Sequence, residues 1–305
     1  MESVTNGKQL LPYPYDQDFS GIVTRVKGVR ESTRAALVNS PKVASYLRAG
    51  ATLVERHLGA CDWAAVADAG KRRHWSGLRF LTERALTQEM ETLGPPFLRQ
   101  KGDGPYRSTW ASHDDYLTDL VTFLFHEMNY DPQYNAESET RAWLDEEADF
   151  VDAIDRATFH EVQAICRMPL FRLQLIMVAT ADRDDGIHSV IANNYAGALE
   201  PWKKTYESTF ASRGFRLRPG VTLDQLAAML AAVTEGFAIH HLGDPGAGIL
   251  GDDPAGNLVG MAVLGILNSY LEPAGEPDGA DLRTRFRDVS NRARPADRSV
   301  DDTGD

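Results

Sequence analysis

The sequence has little of what marks secreted, metal-binding or membrane proteins. Cys61 and Cys166 are the only cysteines among 305 residues, so we expect neither a disulfide framework nor a paired-cysteine zinc site. No run of 18 or more apolar residues suggests a membrane span. The first residues lack the basic start and apolar core of a signal peptide. We therefore predict a cytoplasmic protein with reduced thiols, no membrane association, and no bound metal or cofactor.

The familiar catalytic motifs are also missing from the chain. We find no nucleophile elbow, phosphate-binding loop or dinucleotide fingerprint. His126-Glu127 and His160-Glu161 each pair an imidazole with a carboxyl, yet neither completes the His-Glu-x-x-His pattern of a zinc hydrolase. The adjacent His240-His241 suits capping or packing better than metal binding. The sequence thus predicts no enzyme, although it leaves open a dicarboxylate site among helices.

Acidic residues outnumber basic ones, 44 Asp and Glu against 32 Lys and Arg, for a net charge of −12. The charge is unevenly spread: residues 1–110 hold 16 basic and 11 acidic residues, and the remainder holds 16 and 33. This asymmetry is typical of a protein whose N-terminal part faces nucleic acid. The alternative is that acidic helices in the second part only keep the protein soluble.

Apolar residues recur at helical spacing along most of the chain, and little of it has the alternation of a strand. A helix is predicted after Ser40 and Pro41, which suit an N-cap and first turn. Thr222 and Gln225 form a capping-box pattern ahead of an apolar helix. Residues 257–271 are apolar on nearly every face, which indicates a core or subunit-interface helix. We predict an all-α fold of nine or ten helices.

A basic stretch, "KRRHWSGLRF" (71–80), follows a predicted short helix that ends at Gly70. Three short helices with a tight turn form a helix-turn-helix, whose last helix enters the major groove and contacts phosphates and base edges. A basic loop that is merely solvated is the alternative. The predicted DNA contacts in this stretch are Lys71, Arg72, Arg73, His74, Ser76 and Arg79.

Residues 42–86 resemble the DNA-binding domain of the tetracycline-repressor (TetR) family of bacterial regulators. The resemblance rests on "RAGATLVERHLG", on "VADAG", and on Phe80, Thr82 and Leu86 at the family's spacing. Two positions depart from the pattern: Gly77 replaces a usual tyrosine, and Glu83 replaces a usual lysine. Both positions commonly contact DNA phosphates in the family.

A second stretch, "PYRSTWASHDDYLTDL" (105–120), resembles the end of the same motif. The candidates overlap, at residues 42–90 and 75–118, and either one or both form a DNA-binding unit. The first is preferred because its helix spacings are complete. The second candidate implies DNA contacts by Lys101, Tyr106, Arg107, Ser108 and Thr109.

The C-terminal part, up to "NLVGMAVLGILNSYLEP", is similar to the final helices of actinobacterial TetR-like regulators, which form a dimer bundle beside a ligand pocket. The implied organisation is an arm (1–40), a DNA-binding region (41–118), a larger helical effector and dimerisation domain (119–272), and a flexible tail (273–305). The predicted lining of an apolar effector pocket is Phe171, Met177, Tyr195 and Trp202.

Together these patterns predict a homodimeric regulator, a repressor, that binds a double-stranded DNA operator and is controlled by a small hydrophobic effector. The alternative is an all-α ligand-binding protein, or an enzyme of the same fold, that has lost DNA binding.

Overall fold

A computed structural model of the chain describes residues 12–28, 30–59, 78–93, 99, 102–129 and 131–293. Over these residues the chain forms twelve α-helices, three short 3-10 helices and one two-stranded sheet, which confirms the predicted all-α class. The α-helices are α1 Glu31–Val38, α2 Pro41–Leu58, α3 Glu83–Thr92, α4 Gly104–Arg107, α5 His113–Leu124, α6 Asp131–Glu146, α7 Phe150–Arg167, α8 Pro169–Val178, α9 Asp185–Ser212, α10 Leu223–Gly243, α11 Leu258–Tyr270 and α12 Leu282–Ala293. The strands are β1 Phe215–Leu217 and β2 Leu271–Pro273.

Local side-chain caps set the starts of the two helices whose first turns the sequence marked. The Ser40 hydroxyl accepts a hydrogen bond from the backbone N–H of Val43, and Pro41 occupies the first turn of α2. Thr222 and Gln225 form a complete capping box at the start of α10. These caps satisfy backbone N–H groups that a helix leaves unpaired, so each start is determined by neighbouring residues.

The chain divides into two compact units. The first comprises residues 1–133 and 164–198, and the second comprises residues 134–163 and 199–305, as far as each is described. The divisions at 133, 163 and 198 fall inside α6, α7 and α9. Three helices thus each contribute residues to both units, and the predicted boundaries at 118 and 272 stay a prediction.

In the first unit, α2 packs against α3, α5 and α8. The crossing of α2 and α5 is close at Gly50, where an added Cβ would lie 2.4 Å from the Tyr116 hydroxyl and 2.6 Å from Leu120. Only a residue without a side chain allows this approach. The Tyr116 hydroxyl itself donates to the backbone carbonyl of Tyr46 at 2.8 Å, which ties the two helices together.

The segment before α1, predicted as an arm, is part of the core of this unit. Phe19, Ile22, Val23 and Val26 are all buried. The fully buried Asp119 of α5 holds the segment, since its carboxylate accepts from the backbone N–H groups of residues 24 and 25 and from an indole N–H. Burial raises the pKa of Asp119, and these hydrogen bonds oppose that rise.

The core of the second unit is formed by apolar residues from α6, α7, α9, α10 and α11, and β1 pairs with β2 antiparallel beside it. A buried ion-pair group lies on this ribbon. The fully buried carboxylate of Glu272 contacts Arg216 at 2.8 Å and Arg218 at 3.5 Å. Arg218, itself buried, also contacts Asp278 at 2.5 Å.

The region after residue 273, predicted as a flexible tail, contains the helix α12. The Asp281 carboxylate starts this helix, because it accepts from the backbone N–H groups of Arg283 and Thr284. Arg285 in the first turn lies 3.7 Å from Asp278. The cap and this ion pair explain helical order in a stretch whose composition is polar.

The helices α10 and α11 are apolar, yet they bury only part of their surface within the second unit. Met229, Ile239, Leu258 and Met261 are exposed. By length and composition alone α10 could cross a membrane, and 22% of that stretch is buried. A single helix of this kind is weak support for a membrane span. An exposed apolar face of this kind is also typical of a surface that another protein covers.

Candidate nucleic-acid interface and ligand cleft

The first helix-turn-helix candidate is only partly described. Lys71, Arg72, Arg73, His74 and Ser76 lie outside the described residues, and Arg79 is exposed in a turn at 78–80. The predicted third helix, from 74 to 94, is helical in its described part only from Glu83. The start is displaced because Thr82 is the N-cap, its hydroxyl accepting from the backbone N–H of Ala85.

The second candidate, residues 75–118, contains α3, α4 and the first half of α5, with Lys101 outside the described residues. Its aromatic residues face inwards. Tyr46 meets Tyr106 and Trp110 edge to face, with ring centroids 5.5 and 5.7 Å apart. Tyr116 completes the cluster, its centroid 5.0 Å from that of Trp110. This packing fixes α4 against α2 and α5.

Two predicted DNA contacts of the second candidate are buried. Tyr106 is 3% exposed, and its hydroxyl lies 2.7 Å from Nδ1 of His113. Burial raises the pKa of Tyr106, so the phenol is neutral at physiological pH. Thr109 is 0% exposed and donates to the backbone carbonyl of Pro105. Neither side chain reaches the surface, so neither belongs to a DNA interface in this conformation.

Arg107 and Ser108, the other described residues predicted for this candidate, lie beside two lysines from elsewhere in the chain. The basic cluster is defined here as Lys27, Lys42, Arg107 and Ser108. The Lys27 ammonium donates to the backbone carbonyl of Arg107, and the Lys42 ammonium lies 3.4 Å from the Ser108 hydroxyl. Partial burial lowers the pKa of Lys42. Three segments distant in sequence thus bring two ammonium groups, a guanidinium and a hydroxyl to the end of α4. Lys27 and Lys42 were not predicted, since each is a lone lysine in its stretch.

Two carboxylates adjoin the basic cluster. Arg107 pairs with Glu83 at 2.8 Å and with Asp103 at 3.0 Å, while its side chain remains 67% exposed. The hydrogen bond that Arg107 donates to Glu83 and the charge of Asp103 raise the pKa of Arg107. Glu83, a departure from the family pattern in the first candidate, therefore has a partner in the second.

The four predicted effector-pocket residues have different environments. Phe171 and Met177 are buried, Tyr195 is 37% exposed, and the ring of Trp202 lies 5.9 Å from that of Tyr206. The first three belong to the first unit and Trp202 to the second.

A polar cleft of about 440 Å³ lies in the second unit, between α6 and α9, and none of these four residues lines it. The Thr205 hydroxyl donates to Glu137 within it, and Lys203, just outside, lies 2.5 Å from Glu200. No sequence motif marked this cleft, because its residues come from two separate helices. Its lining is Glu137, Arg141, Glu200, Pro201, Lys204, Thr205 and Ser208.

A buried carboxyl lies elsewhere in the second unit. The Oε2 atom of Glu161 is shielded from solvent and has no hydrogen-bond partner among the described residues. Burial raises the pKa of Glu161 to about 7. Burial raises the pKa of Tyr206, and the nearby charge of Glu161 raises it further. Nothing in the sequence indicated this burial, since glutamate is usually exposed.

Within the described part of the chain, no three His, Cys, Asp or Glu side chains are grouped so that they could hold a metal ion. Comparisons with protein-family models, curated proteins and solved structures find no match to this chain.

Proposed function

We propose that the protein is a DNA-binding transcriptional repressor similar to the TetR family. The observation that carries the proposal is the basic cluster at the end of α4, in a chain whose net charge is −12. Ammonium, guanidinium and hydroxyl groups are the usual donors to DNA phosphates. Their convergence beside a short helix that follows α3 matches what a helix-turn-helix needs to fix its register on a duplex.

Two features make the cluster suitable for phosphate. The N-terminus of α2 begins at Pro41, next to Lys42, so the positive end of the helix dipole adds to the preference for an anion. Arg107 is well exposed, and its ion pairs with Glu83 and Asp103 are of the solvent-exposed kind, which contribute little to stability. A DNA phosphate can therefore take the place of one carboxylate.

Assembly and control complete the proposal. The exposed apolar residues of α10 and α11 would pair with the same helices of a second copy, and a repressor with two DNA units reads two half-sites. An effector that prefers one arrangement of those units would shift operator affinity. This repressor would be a cytoplasmic homodimer.

The test is DNA binding by purified protein, first selected on sheared genomic DNA and then measured on the recovered fragment. Arg107→Ala and Lys42→Ala should each weaken binding on every sequence and lower the slope of log affinity against log salt by about one. Arg287→Ala, the same type of change at an exposed arginine in the second unit, is the matched control. Wild-type affinity and slope in both cluster variants would refute this interface.

The second candidate function is ligand binding without DNA binding, and the polar cleft favours it. If no genomic fragment is retained at low salt while a ligand binds the cleft, this alternative replaces the repressor.

A further inference from the structure

We infer that the polar cleft of the second unit binds a small anion through a carboxylate or phosphate group. This inference does not depend on DNA binding, since every residue that carries it lies on α6 or α9 of the second unit.

Two cations in the cleft have unused hydrogen-bond donors. Lys204 forms no ion pair or hydrogen bond among the described residues, although it lines the cleft. The nearest ionic partner of Arg141 is Glu137, whose Oε1 lies 3.9 Å from Nε, beyond hydrogen-bond distance. An ammonium and a guanidinium that share one concavity form strong charge-assisted hydrogen bonds with an anion's oxygens.

The two carboxylates of the cleft are already occupied. Glu137, whose side chain is 12% exposed, accepts the hydroxyl hydrogen bond of Thr205. Glu200 pairs with Lys203, which also lies 2.9 Å from Asp224. The groups left with free hydrogen-bond donors are therefore Lys204 and Arg141, and their positive charges favour an anionic ligand over a cationic one.

The size and polarity of the cleft narrow the ligand class. A volume of about 440 Å³ is within the range of small-molecule sites. Its lining has no aromatic or long aliphatic side chain, so it does not suit the small hydrophobic effector predicted from the sequence. The Ser208 hydroxyl donates to the backbone carbonyl of Thr205 at 3.0 Å, so it can accept from a hydroxyl on the ligand. A compact, hydroxylated carboxylate or phosphate monoester fits this chemistry.

The experiment is calorimetric titration of the full-length protein with citrate and, separately, with inorganic phosphate, using glycerol as the uncharged comparison. We expect at least one anion to bind with a dissociation constant between about 10 μM and 1 mM, and glycerol not to bind. Whichever anion binds identifies the carboxylate or the phosphate as the recognised group.

Lys204→Ala and Arg141→Ala should each weaken that binding about tenfold or more, since each removes a charged hydrogen-bond donor. Arg287→Ala, at an exposed arginine of the second unit that does not line the cleft, is the matched control. Circular dichroism checks that each variant is folded. Absence of binding by both anions up to about 10 mM, or an equal loss of binding in Arg287→Ala, would overturn the inference.

Discussion

Replacing Glu161 with glutamine should change how the stability of this protein depends on pH. The carboxyl has an ordinary pKa of 4.5, and burial raises it to about 7 in the folded protein. The folded state therefore holds a proton that the unfolded state releases between these two values. The contribution of this carboxyl to the free energy of unfolding is therefore complete below pH 4.5 and is lost as the pH rises towards 7. The rise from 4.5 to about 7 corresponds to about 3 kcal/mol.

The assay is urea unfolding of the wild type and of Glu161→Gln at intervals from about pH 5 to pH 8. Glutamine cannot ionise, so the variant should lose this part of the pH dependence and gain up to about 3 kcal/mol relative to wild type across the range. Glu139→Gln, at an exposed carboxyl on α6, is the control and should follow the wild-type curve. Parallel curves for wild type and Glu161→Gln would refute the reasoning, because they would show that the carboxyl titrates alike in both states.

Three further changes test the packing and assembly. Gly50→Ala should lower the free energy of unfolding by about 1–3 kcal/mol, because the added Cβ would overlap α5. Gly265→Ala is the control, at a helical site with open space, and should be neutral or stabilising. Equal melting temperatures for the two variants would contradict this account of the helix crossing. Glu272→Ala should cost about 1–3 kcal/mol, since it removes the fully buried carboxylate that contacts Arg216 and Arg218, while Arg218 keeps Asp278. Thermal unfolding measures the loss, and an unchanged stability would show that this carboxylate is not structural. Met261→Glu, at a side chain 59% exposed on α11, should dissociate the proposed dimer. Sedimentation at micromolar concentration measures this, and a wild-type protein that is monomeric at the same concentration would refute the dimer.

Features that depend on neighbouring residues were predictable from the sequence. The helical spacing of apolar residues indicated an all-α fold, and the capping residues Ser40 and Thr222 begin helices at the expected positions. Both signals act within one or two turns of chain, where side-chain and backbone geometry are tightly linked.

Features that depend on distant residues were decided by the tertiary structure. Asp119 draws in a segment 95 residues away, which turns a predicted arm into core. Tyr106 has the chemistry of a DNA contact, but three aromatic neighbours bury it. The basic cluster and the polar cleft each join side chains from separate segments. The sequence specifies the chemistry of each side chain, whereas burial and proximity arise only when those segments pack together.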